Sequence, residues 1–235
     1  MSANAEVLRG SDVIGSAARE AVLPAVAAVG AASRWNPEGF AREQMRSLVR
    51  RVFFANGAQA IKQVVFTAAD PELDITNVCE EVVRGLSRET RADVALMEGG
   101  TAAAERIYGR DLHTTASSIK SLSTQVASNL WRVQRFGSIE SGEDSGAMHW
   151  IPCLAKLRTE FEYVVIQGQA AGSSSEAALV GQLTDGIVLV LGAHKTRQAT
   201  ALKVKETLEA ADCRILGTVL TERRFPIPGR IYKRL

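Results

Sequence analysis

Charge of one sign is what this chain has least of: 28 lysines and arginines stand against 26 aspartates and glutamates in 235 residues, a formal net charge of +2. So small a surplus gives no broad positive field, and nucleic acid is not expected as a partner. Cysteine is scarce as well. Cys79, Cys153 and Cys213 lie far apart with neither metal-ligand spacing nor a disulfide framework, which points to a reducing compartment. His113, His149 and His194 fall in different elements without ligand spacing, so no metal is expected on them. Ser173, Ser174 and Ser175 lack a G-x-S-x-G elbow and read as a helix cap, not a nucleophile. The apolar stretch 21–32 is interrupted by Pro24 and Gly30 and is too short to span a bilayer. With Glu6, Asp12 and Glu20 before it, it is also a poor signal peptide. The expectation is a soluble cytoplasmic protein without a transmembrane segment.

What is present is 46% hydrophobic residues in an α/β pattern, enough for one domain with its own core. Residues 1–36 are rich in Ala, Ser and Gly and read as a flexible arm outside the core with at most one weak helix. The α/β domain is expected over 37–221, with a basic tail over 222–235. From residue 37, Phe40, Met45, Leu48, Val49, Val52 and Phe53 form a helical stripe opposite Arg42, Arg46, Arg50 and Arg51, a helix expected to dock beside the first strand. Strands are expected in the β-branched run that opens the stretch 62–83 and over 92–98, 129–135, 161–166, 185–191 and 213–220. Helices are expected over 111–127, 147–160, 176–183 and 196–210, with a loop at 137–146. Alternation of this kind calls for a mostly parallel, doubly wound sheet with helices on both faces.

The stretch 62–83, KQVVFTAADPELDITNVCEEVV, organises the domain. It holds a β-branched strand, a turn built on Asp70 and Pro71, and a helix whose apolar face is Ile75, Val78, Cys79, Val82, Val83 and Leu86. In phosphate-binding α/β proteins such a turn has the form GxxxxGK[ST]: glycines let bare N–H groups approach the anion, and lysine neutralises its charge. This turn has no glycine and no lysine. Asp70, Pro71 and Glu72 instead spell a helix start, with Asp70 as N-cap and the helix absorbing the loop; Asp74 is the alternative cap.

The order of segments resembles the cytoplasmic domain of bacterial tyrosine autokinases of capsule and exopolysaccharide export, within the deviant-Walker P-loop ATPases. Four stretches carry the resemblance: EQMRSLVRRVFFA (43–55), VVFTAADPELDIT (64–76), VALMEGG (94–100) and the long run 161–220. The resemblance implies a P-loop NTPase-like fold, and its motifs can be set against this chain one position at a time. Against TSAxPGEGKST the chain keeps Pro71 and Thr76, has Glu72 and Asp74 at the glycines, and has Ile75 at the lysine. Against VLLIDAD it has Glu98 and Gly100 at the aspartates. Against VIIDTPP it has Gln167 at the magnesium-linked aspartate. Thr76 and Glu98 alone remain to serve a metal, and Tyr232 stands alone where a tyrosine cluster is usual. Glu43 and Arg46 match the first half of an E-x-x-R-x-x-R subunit-contact motif; Val49 takes the second arginine's place, and Arg50 is turned about 100° around the helix.

Carboxylates from Glu72 and Asp74 would oppose a triphosphate by about 4 kcal/mol per pair near a protein surface at about 4 Å. The expectation is therefore a catalytically inactive, cofactor-free relative acting as a binding or regulatory module in polysaccharide synthesis or export. Its implied partner is a membrane chain-length regulator or an active kinase, and self-association stays open. Two alternatives stand: a weakly active kinase-like protein that binds ATP and Mg, and a self-assembling scaffold unrelated to polysaccharide. Two surfaces are candidates for a partner, the helix face of Glu43, Arg46 and Arg50 and the basic tail of Arg223, Arg224, Arg230, Lys233 and Arg234. The tail also fits an anionic surface, which allows peripheral placement at the inner membrane.

Overall fold

The computed structural model describes residues 6–8, 37–55, 60–98, 118–133 and 147–222. The helices are α1 (Pro37–Val49), which runs on into a π-helical turn (Arg50–Phe54), α2 (Thr76–Glu89), α3 (Ala147–Glu160), α4 (Glu176–Leu183) and α5 (Gln198–Ala210). The strands are β1 (Glu6–Leu8), β2 (Gln63–Ala68), β3 (Val94–Glu98), β4 (Thr124–Ala127), β5 (Leu130–Val133), β6 (Tyr163–Gln167), β7 (Gly186–Gly192) and β8 (Ile215–Thr221). Among the described residues they form one sheet in the order β1-β8-β7-β2-β6-β3-β5-β4, parallel throughout except for antiparallel β1 and β4 at the edges.

Strands buried on both faces read as continuous apolar runs, and β2 is buried along its whole length. Its side chains alternate between two cores. Val64, Phe66 and Ala68 join the α1 and α2 side with Leu48, Val49, Val82 and Leu86. Val65 faces the opposite layer with Trp150, Leu157, Val180 and Leu208 from α3, α4 and α5. The predicted stripe of α2 is buried as a set, from Ile75 through Leu86. Gly85 lets α1 come close: a Cβ there would stand 3.2 Å from Val49 Cγ2. α1 thus packs on α2 and shares an apolar layer with β2. All three thiols are buried, and desolvation pushes Cys153 up to about 12, which removes the reactive thiolate at neutral pH.

Two expectations give way. The stretch 118–127 is not helical: it forms a 3-10 turn (Ile119–Leu122) and strand β4. The Glu160 carboxylate accepts from the backbone N–H of Ile119 and of Lys120 at 2.9 Å each, a tertiary cap that fixes a tight turn where local spacing favours a helix. Within the arm, residues 6–8 are not outside the fold but extend the sheet against β8. The remainder of 1–36, the part of 111–127 before residue 118, the loop 137–146 and the tail from residue 223 lie outside the described residues.

Candidate functional site

β2 and β6 are neighbours, yet the chain leaves β2 into α2 on one face and leaves β6 into α4 on the other. This is a topological switch point, where the carboxyl ends of parallel strands open a crevice. Three loops meet there: 69–75 after β2, 168–175 after β6, and 193–197 after β7.

The first loop survives as a loop. α2 begins at Thr76, not at Asp70, so the expected early start is overturned. Two tertiary contacts hold the segment off the helix axis: the Thr196 hydroxyl donates to the Asp70 carboxylate, and Leu73 is buried beside Gly192. Asp74 stands one residue before the N-cap Ile75, its Oδ1 accepting the Thr76 N–H at 2.9 Å. The Thr76 hydroxyl and N–H bonds hold the Asp74 carboxyl below its usual range. Pro71 and Glu72 are exposed at the tip of the turn. Ile75 is 4% exposed and belongs to the core with Val78 and Cys79, so it presents no charge to the crevice.

The second loop lies on the first. Thr67 Oγ1 donates to the Gln169 carbonyl at 2.6 Å and accepts the Ala171 N–H at 3.1 Å. Gly172 passes so near that a Cβ would stand 2.3 Å from the Ala69 carbonyl oxygen, a contact only glycine permits. Ser175 is the N-cap of α4 and makes no side-chain cap bond, while the hydroxyl of Ser174 before it accepts the Glu176 N–H at 3.2 Å. Gln167, at the end of β6, donates from Nε2 to Thr76 Oγ1 at 2.9 Å, while its buried Oε1 has no hydrogen-bond partner. Glu98 ends β3 directly across from Gln167 in the parallel register.

The structure therefore brings Asp74, Thr76, Gln167 and Glu98 to one end of the sheet. Among the described residues no group of three or more His, Cys, Asp or Glu side chains could hold a metal ion. Gly100, at the second position of the second motif, lies outside the described residues.

No protein-family model matches the sequence. No curated protein sequence matches it either. Solved structures do. The kinase domain of the Escherichia coli tyrosine kinase Etk superposes with a TM-score of 0.68 at 15% identity, over 80% of this chain and 79% of that one. The VpsO kinase domain gives 0.62 at 18% identity, over 80% and 98%. MinD cell division protein of Aquifex aeolicus gives 0.52 at 14%, over 74% and 72%. The fold is that of a bacterial tyrosine-kinase domain.

Within this tyrosine-kinase fold, Leu73 and Gly172 form contacts that motif reading does not single out, and the bond from Thr196 to Asp70 joins two loops that sequence reading treats separately. The pair Gly168 and Gly172 after β6 is the one local signal of a close backbone approach. The candidate partner helix is also placed. Arg46 pairs with Glu43 at 3.1 Å and with Glu89 of α2 at 3.2 Å, and Arg50 pairs with Glu89 at 3.1 Å. Both arginines remain more than half exposed. Arg223, Arg224, Arg230, Lys233 and Arg234 lie outside the described residues. No described helix is long and apolar enough to cross a membrane.

Proposed function

We propose that this chain is a nucleotide-free member of the kinase-like fold, a binding or regulatory module in polysaccharide synthesis or export. The observation that carries the reading is the Gln167 amide bonded to Thr76, at the two positions where the resemblance places the metal-side groups. Magnesium sites favour charged carboxylate oxygens, whereas a neutral amide stands at this position and its nitrogen engages the Thr76 hydroxyl. The other crevice groups agree with this. Asp74 puts a carboxylate at the N-terminus of α2, where a phosphate would otherwise be drawn, and Ile75 offers no cation. Together these groups support the reading without magnesium and triphosphate.

The polysaccharide assignment rests on the resemblance to export autokinases, which the shared fold supports at the level of architecture. On this reading the partner is a membrane chain-length regulator or an active kinase, and it meets the face of Glu43, Arg46 and Arg50 or the basic tail. Binding through such exposed charges weakens with salt, since screening acts over about 8 Å at physiological ionic strength.

Isothermal titration with magnesium-ATP and magnesium-ADP at millimolar concentration is expected to be flat. A saturable heat with micromolar affinity would favour the weakly active, ATP-binding alternative and end the nucleotide-free reading. For the partner, affinity capture from the native cell is repeated with Arg46 and Arg50 both changed to Glu and, separately, with residues 223–235 deleted. At least one change should release the partner. Retention by both places the contact elsewhere on the chain.

A further inference from the structure

All four residues of β4 are exposed, and its ladder to β5 is its main contact with the described fold. Burial of apolar surface therefore does little to keep it there. β5 is secured on its own account. It pairs in parallel with β3, and Asn129 just before it donates from Nδ2 to the carbonyls of Ser87, Thr90 and Ala92 at 3.2, 3.0 and 3.0 Å. The two strands have unequal support, and what holds β4 is the turn that leads into it.

Lys120 anchors that turn. Its ammonium meets the Asp93 carboxylate at 2.6 Å and lies 5.8 Å from the centroid of the Trp131 ring and 5.4 Å from that of Phe161. The Trp131 indole N–H donates to the other Asp93 oxygen at 3.2 Å and so orients the carboxylate. A carboxylate beside two aromatic rings is a seat for an ammonium ion. The Lys120 bond, with help from the indole, holds the Asp93 carboxyl below its usual range against desolvation. Glu160 fixes the backbone where the turn begins, while the Lys120 side chain joins the turn to the foot of β3 and to β5. The lysine side chain is 32% exposed and the aspartate's 35%, so the seat opens to solvent without disturbing either core.

We propose that Lys120 is the clasp of a guard strand: while its ammonium is seated on Asp93, Trp131 and Phe161, β4 lies across the edge of β5, and when the seat empties β4 detaches as a unit. β5 stays in the sheet, because Asn129 and β3 hold it independently. Detachment uncovers one row of β5 backbone donors and acceptors, a strand edge gated by a single cation. The gate lies at the amino end of the sheet, opposite the crevice, and is independent of what the crevice binds.

Amide hydrogen exchange on the full chain, followed over residues 124–127 and over β2, tests the clasp. Lys120→Met keeps an apolar stem and removes the cation, and should speed exchange over β4 about threefold or more with β2 unchanged. Asp93→Asn should act in the same direction, and the double variant should exchange no faster than Lys120→Met alone, because both changes remove one pairing. Lys205→Met breaks a pair within α5, with Glu209 at 3.2 Å, whose lysine side chain is likewise 32% exposed, and should leave β4 as in the parent. The clasp is overturned by a smaller rise over β4 in Lys120→Met, by effects that multiply in the double variant, by an equal rise over β2, or by the same rise in Lys205→Met.

Discussion

Gln63 and Gln167 stand near opposite ends of the adjacent strands β2 and β6, and they use the same side chain in opposite ways. Gln63 is 1% exposed and engaged at both atoms: Nε2 donates to the Leu154 carbonyl at 2.8 Å, and Oε1 accepts from the Arg158 guanidinium at 3.4 Å. Gln167 donates to Thr76 and leaves its buried oxygen without a partner. The amino end of the sheet is tied in this way throughout. Asp185 accepts from the backbone of Lys62 at 2.7 Å, the backbone of Gln63 at 2.8 Å and Arg158 at 2.8 Å. Asp93 receives Lys120 and the Trp131 indole. A buried polar group that is fully satisfied secures one structure, while a half-satisfied one marks the end of the sheet where ligands bind in this architecture.

If that contrast is sound, the largest loss comes from the amino end. Asp185→Ala strands two backbone donors and Arg158 and should cost about 2–3 kcal/mol in chemical denaturation. The same residue carries a pH signature. Burial acts to raise its carboxyl, but the Gln63 N–H, Arg158 and the Lys62 N–H outweigh it and hold it below the usual range. A depressed folded value means the unfolded chain takes up protons first on acidification. The stabilisation is therefore complete above about pH 4 and fades as pH falls through the lowered folded value. The Asp185→Ala protein should show a flatter stability profile below about pH 4 than the parent, and parallel profiles would remove Asp185 from the account.

Gln63→Leu comes next, at about 1–2 kcal/mol, because the Leu154 carbonyl and Arg158 lose a buried partner. Asp74→Ala should cost about 0.5–2 kcal/mol, since it frees the first N–H of α2, whereas Asp70→Ala acts only on the loop and should cost less. A larger effect from Asp70 would return the helix start to that residue. Gln167→Leu is the smallest. It gives up one hydrogen bond but also removes the orphan oxygen, so its denaturation midpoint should stay within about 0.5 kcal/mol of the parent. A loss equal to that of Gln63→Leu would erase the distinction between the two ends.

Elements governed by their own residues were legible. The helix expected over 147–160 and that over 176–183 coincide with α3 and α4, and each buried strand from β2 to β8 falls within a few residues of its apolar run. Two of the misreadings share one cause. Asp70, Pro71 and Glu72 satisfy every local rule for starting a helix, yet Thr196, 126 residues further on, claims the Asp70 carboxylate. Ile119, Leu122 and Val126 keep helical spacing, yet Glu160 claims the N–H groups of that turn. Tertiary hydrogen bonds to backbone and caps leave no periodic trace. The crevice was legible as the loop after the first parallel strand, and its missing glycines and lysine were read directly. The pairing of Gln167 with Thr76 was not, because it joins residues 91 apart that only the sheet order makes neighbours.

Among the described residues β4 ends the sheet, with four exposed residues and a register shift between Gln125 and Ala127. A short, bulged and solvated border offers a second sheet too few aligned donors and acceptors to continue on it. Val126, 56% exposed at that border, is the side chain whose environment a fibre would need to bury. Straightening that bulge is therefore expected to lower solubility at high concentration before it changes anything in the core.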